Sequence, residues 1–193
     1  MRPRRCATIA VTASLAFAIP AIAPGNLDAQ PSTVILVRHA EKAAAPASDP
    51  ALTAAGTQRA LDLATALAGA RVTSVITTQL QRTQLTAKPI TDPLGRAPIV
   101  VPVAAPVAAH VEAVAAAVRA RPAGDIVLVV GHSNTIPAIV GALGGPKLPD
   151  LCDPQYSMIF ILEFSANAPP RFIRASYGAA DPPNSDACLR TMK

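Results

Sequence analysis

A chain of 193 residues is long enough to bury one substantial core and too short for two ordinary domains. Hydrophobic residues make up 51% of it, yet aromatics are only 3% and tryptophan is absent, so any core is packed from Ala, Val, Leu and Ile. The formal charge of +5 is neither gathered into a basic helix nor interleaved with aromatics, which argues against a nucleic-acid partner.

The chain opens with Arg2, Arg4 and Arg5, runs apolar from Cys6 to Ala23, and continues through small residues to Gln30. This layout predicts a secretory signal peptide over 1–29, cut after Ala29. The apolar run is broken by Pro20 and Pro24 and falls short of the ~20 apolar residues that span a bilayer, so no membrane span is expected after cleavage. The remaining domain, 30–193, is expected to be periplasmic or extracellular and only modestly basic. Cleavage also removes Cys6, leaving Cys152 and Cys188. Two cysteines in an exported chain most simply form one disulfide, and closing a loop of about 36 residues would stabilise by ~3–4 kcal/mol.

Thr33 to Val37 is a continuous β-branched and apolar run, the pattern of a strand buried on both faces. Thr53 then caps a helix whose apolar positions Leu61, Leu63, Ala64 and Leu67 recur at helical spacing up to Gly69. Val72 to Thr77 reads as a second strand, and a short helix over 80–87 is predicted to stop before Pro89. A short strand over 99–101, an Ala-rich helix over 106–120 and a buried strand from Ile126 to Val130 follow, then a helix over 135–143. Two final strands, 157–164 and 171–177, are predicted to be joined by a Pro-Pro turn. Most of the 20 prolines fall between apolar runs and read as loop punctuation. The alternation predicts an α/β fold: a three-layer α/β/α sandwich on a mainly parallel sheet, with an antiparallel edge near the C-terminus.

In such sheets ligands sit beyond the carboxyl ends of the strands. After the first strand come Arg38, His39, Glu41 and Lys42; after the second, Thr77-Thr78-Gln79 and then Arg82; after the fourth, His132, Ser133 and Asn134. Each alone reads as an ordinary structural residue. Together, two imidazoles and two guanidiniums with Glu41 as the one flanking acid are costly to gather unless an anion completes the set. A dianionic phosphoryl group fits.

These residues also carry a resemblance. Arg38-His39-Ala40-Glu41, Leu52-Thr53-Ala54-Ala55-Gly56, the Thr77–Ala87 segment with Arg82 and Thr86-Ala87, and Gly131-His132-Ser133-Asn134 resemble, in order, the signatures of the histidine phosphatase (phosphoglycerate mutase-like) superfamily. The resemblance implies that His39 is the nucleophile that becomes phosphohistidine, and that Arg38, Arg82 and His132 form the phosphate pocket. Proximity to the two arginines should keep His39 neutral near pH 7. A carbonyl acceptor would be needed to fix its tautomer. Lys42, Glu41 and Asn134 are further candidates for contact with substrate, Glu41 chiefly as an orienter of arginines. Neither cofactor nor metal is implied, since two histidines without a spaced co-ligand make a poor zinc site.

The chain departs from the family in one respect. Family members usually take a carboxylic acid from the segment after the third strand to protonate the leaving oxygen, and here that segment is almost bare of acids. Glu112 is the candidate, with Asp92, Asp150 and Asp153 behind it. Small bacterial members acting on phosphohistidine manage without such an acid, which suggests a preference for good leaving groups. His110 reads as a surface residue and Arg59 as structural. The short stretch between Arg82 and His132 leaves little room for a mutase lid. The expected function is therefore a phosphatase acting on a small phosphorylated substrate or a phosphoprotein, as a phosphomonoester or phosphoamide hydrolase. A non-catalytic binder of phosphorylated ligands and an envelope interaction module are the alternatives. Substrate identity and oligomeric state are not encoded in these motifs.

Overall fold

The computed structural model describes residues 31–183; the expected signal segment 1–29 and Cys188 lie outside them. Ten elements follow in order: β1 Thr33–Arg38, α1 Ala54–Ala66, β2 Ser74–Thr77, α2 Gln81–Leu94, β3 Ile99–Val100, α3 Val107–Arg119, β4 Ile126–Gly131, α4 Thr135–Ala142, β5 Met158–Ser165 and β6 Ala168–Ser176. One sheet orders the strands β3-β2-β4-β1-β5-β6. β3, β2, β4 and β1 run parallel, whereas β5 is antiparallel to β1, and β6 to β5.

The apolar strand runs are continuous because helices cover both faces. Val34, Leu36, Ile76, Val127 and Val129 share a core with Val111, Val114 and Val118 of α3 and with Ile136 and Ile139 of α4. The alternate residues Ile35, Val37, Val75, Leu128 and Val130 share the opposite core with Leu63 and Leu67, and with Ala87 of α2. This period-two division is the expected three-layer sandwich. β1 and β4 pair in register from Thr33↔Ile126 to Arg38↔Gly131, so residues 39 and 132 leave the sheet side by side.

Two expectations drawn from prolines are corrected. α2 does not stop before Pro89 but runs through Pro89 and Pro93 to a left-handed Gly95 cap. Burial of Ala87 and Thr91, with Ile90 packed on the core, keeps the helix in place despite two missing donors. Pro169-Pro170 is not a turn but part of β6, the edge strand, where a missing N–H is tolerated; the bend lies at Asn167, with φ +67°.

At the start of α1, Gly56 N–H donates to the Thr53 hydroxyl at 3.0 Å, the predicted cap. A side chain at Gly56 would collide with the Glu41 carbonyl oxygen. The glycine thus lets α1 press against the loop that leaves β1.

Candidate active site

His39 follows β1 and is buried. Its backbone N–H donates to the Gly131 carbonyl at 2.9 Å, and its ring Nδ1–H donates to the Ala40 carbonyl at 2.7 Å. A carbonyl can only accept, so the proton resides on Nδ1 and the lone pair on Nε2. The Ala40 N–H donates in turn to the Thr86 hydroxyl at 2.9 Å, and that hydroxyl donates to the Arg82 carbonyl at 2.7 Å. Thr86 of α2 therefore fastens the loop that holds the His39 tautomer.

His132, at the end of β4, faces His39 with ring centroids 5.4 Å apart and planes at 63°. Its Nε2 lies 3.3 Å from the Thr78 hydroxyl, which lies 2.9 Å from the Thr83 hydroxyl. The Thr83 proton is directed to the backbone, at 2.8 Å from the Leu80 carbonyl and 3.1 Å from that of Thr78. The Thr78 hydroxyl has one proton for these two neighbours, and the role of each His132 ring nitrogen depends on its tautomer.

The guanidinium of Arg38 is half committed to the protein. Its Nη1 donates to the carbonyls of Cys152, Asp153 and Gln155 at 2.9, 2.9 and 3.0 Å. The group lies 4.1 Å from the ring centroid of Tyr156, with Nη2 3.4 Å from the Tyr156 hydroxyl and 3.8 Å from Asp153 Oδ1. Arg38 Nε is buried without a partner, and so is Arg82 Nε. Both side chains line a cavity of about 320 Å³, together with His39, Lys42, His132, Ser133, Asn134 and Asp153. Two donor atoms without acceptors beside an open cavity are what an oxyanion would satisfy.

Burial is the largest cause pushing His39 down to about 3; the charges of His132, Arg38 and Arg82 add to it, against the Ala40 hydrogen bond. His132 is lowered to about 4, again by burial first, then by Arg82, His110 and Arg38. The arginines thus assist a neutrality that desolvation chiefly sets, a reordering of the expected cause.

Other residues fall where the sequence did not put them. Glu41 orients neither Arg38 nor Arg82. It grips Arg59, with Nε at 2.8 and 3.0 Å and Nη2 at 2.8 Å, and Arg59 continues to the carbonyls of Tyr177 and Ala179. Glu112 does not reach the cavity. It is exposed on α3, paired with Arg119 at 3.1 Å. Asp92 pairs with Lys88 on the outer side of α2, and Asp150 is exposed in the loop after α4. Asp153 does line the cavity, with its carboxylate fully exposed.

His110 is not a surface residue: it is 1% exposed and lines the cavity. Tyr156, Thr78 and Thr86 also belong to the site's framework; the motif over residues 77–87 took in Thr78 and Thr86, and no sequence signal pointed to Tyr156. Cys152 is buried beneath Arg38, and its expected partner lies outside the described residues. Among the described residues no grouping of three or more His, Cys, Asp or Glu could hold a metal ion, and no helix is long and apolar enough to cross a membrane.

Residues 34–104 match the family model of the histidine phosphatase superfamily, branch 1. That stretch holds Arg38, His39 and Arg82 on the elements just described; His132 lies beyond it and is brought in by the β1–β4 pairing. Over that stretch the chain is similar to the histidine phosphatase superfamily. Solved structures share its fold. The protein histidine phosphatase SixA, complexed with tungstate, superposes with a TM-score of 0.59 at 20% identity, covering 75% of this chain and 96% of that one. A mycobacterial glucosyl-3-phosphoglycerate phosphatase, complexed with VO3, gives 0.57 at 18% identity, covering 77% and 100%. Mycobacterial hydrolase 2 gives 0.56 at 16% identity, covering 82% and 95%. A sequence search of curated proteins finds no match.

Proposed function

We propose that the chain is a phosphatase that hydrolyses a phosphomonoester or phosphoamide through a phosphohistidine on His39. The observation that carries this reading is the Nδ1–H bond to Ala40, which leaves Nε2 of a buried, neutral imidazole as the free lone pair beside two partnerless guanidinium nitrogens. In the first step Nε2 attacks phosphorus as the bond to the leaving atom breaks. Arg38 Nε, Arg82 and His132 surround the equatorial oxygens, whose charge must be held during in-line transfer. Water then attacks the phosphohistidine, releasing inorganic phosphate and restoring the lone pair.

Two of the similar structures are complexed with the oxyanions tungstate and VO3, which supports a phosphate-binding cavity here. The cavity's size and its rim of Val103, Ala104 and Val107 suit a small phosphorylated substrate or a phosphoryl group presented by a protein.

Incubation with a 32P-labelled phosphate donor tests the reading. An acid-labile, alkali-stable adduct is expected on the native chain and absent from His39→Ala. Phosphate binding without any adduct would favour the non-catalytic binder instead. Export by residues 1–29 and pairing of Cys152 with Cys188 belong to the same proposal. N-terminal sequencing of secreted material and non-reducing peptide mapping test them.

A further inference from the structure

The connection from β3 to α3 is pinned to the site. Val101 N–H donates to the Thr77 carbonyl at 2.9 Å, and Val103 N–H to the Gln79 side-chain carbonyl at 2.8 Å. These bonds hold the stretch that leads into α3, whose first turn carries the buried His110. His110 Nδ1–H donates to the Pro102 carbonyl at 3.0 Å, while Nε2 is buried and has no partner. His110 shares the cavity with His39, Arg82 and His132, and its charge reaches His132. A ring nitrogen left unsatisfied at 1% exposure is costly, and a group arriving in the cavity would relieve that cost.

We propose that His110 is the proton donor to the leaving group, in the place where a carboxylic acid is missing. This rests on the phosphatase reading. The buried, partnerless His110 Nε2 accepts the proton of a phosphoryl group bound as its monoanion, and as the N–P bond forms at His39 Nε2 and the P–O bond breaks, that proton passes to the leaving oxygen. The products of this step are the free alcohol and a neutral His110 that keeps its Nδ1–H bond to Pro102. In the second step His110 Nε2 takes a proton from the attacking water as the N–P bond breaks. Phosphate leaves with that proton, and both rings return to their starting states. Alkyl phosphates, with poor leaving groups, then fall within the enzyme's range, and the preference for good leaving groups expected from the missing acid is replaced.

The test is rapid-quench measurement of phosphohistidine formation from an alkyl phosphate and from 4-nitrophenyl phosphate. His110→Asn keeps a donor for the Pro102 carbonyl but has no counterpart of Nε2. His110→Gln can donate a hydrogen bond there but cannot release a proton. Thermal melts report folding, and either variant alone suffices for the comparison.

Each variant is expected to slow adduct formation from the alkyl phosphate by on the order of 100-fold or more, and to leave the aryl phosphate within about fivefold of the native rate. Asp153→Asn is expected to show no such selectivity. Equal slowing on both substrates, or alkyl-selective loss in Asp153→Asn instead, overturns the proposal. Absence of any adduct on the native chain overturns the phosphatase reading, and this inference with it.

Discussion

Two histidines held neutral by burial make opposite demands on folding and on chemistry. Both His39 and His132 lie below the ordinary imidazole value, at about 3 and 4, so between roughly pH 4 and 6.5 the unfolded chain binds protons that the folded chain refuses. Stability therefore rises with pH through that window and is lost as pH falls through it. His39 stays neutral over the same range. NMR titration of the free protein is expected to show no protonation of His39 from pH 8 down to 5, while urea midpoints fall. A His39 titration near 6.5 would contradict the burial argument.

Thr86 supports the same ring from behind. Thr86→Val leaves the Ala40 N–H buried without an acceptor and should destabilise by about 1–3 kcal/mol. It should also lower kcat more than it raises KM. At this scale the sequence named Arg38, His39, Arg82 and His132, because strand ends fix where those residues emerge. It did not reveal the burial of His110 or the Glu41–Arg59 pair. Those depend on where the α3 turn and the start of α1 cross the sheet edge, which no local pattern records.

At the level of elements, the buried strands were legible because a parallel strand covered on both faces must be apolar throughout. The prolines were not. α2 carries Pro89 and Pro93 inside the helix because Ala87 and Thr91 are buried and Ile90 packs on the core, and packing outweighs local preference. Pro89→Ala restores a helical donor. Allowing for the greater freedom of the unfolded chain, it should stabilise by about 2 kcal/mol, read from denaturant midpoints, with turnover unchanged. A loss of stability would mean that the helix depends on proline there. β6 shows the complementary case, since its Pro169 and Pro170 lie on the outermost strand.

For the molecule as a whole, the adjacent parallel strands β1 and β4 bring the two imidazoles together, while β2 and α2 deliver Thr78 and Arg82 from the neighbouring crossover. The resulting cavity is rich in donors and poor in acids, so anion binding is coupled to stability. Inorganic phosphate at 100 times its Kd should stabilise the fold by about 2.7 kcal/mol, and Arg82→Gln should greatly weaken that gain. A melt insensitive to phosphate would show that the guanidiniums do not await an anion.

The most direct test of the account is a crystal structure with orthovanadate. The vanadium is expected within bonding distance of His39 Nε2, with its oxygens contacting Arg38 Nε, Arg82 and His132. Vanadate bound elsewhere, or a cavity left unoccupied at saturating concentration, would contradict it.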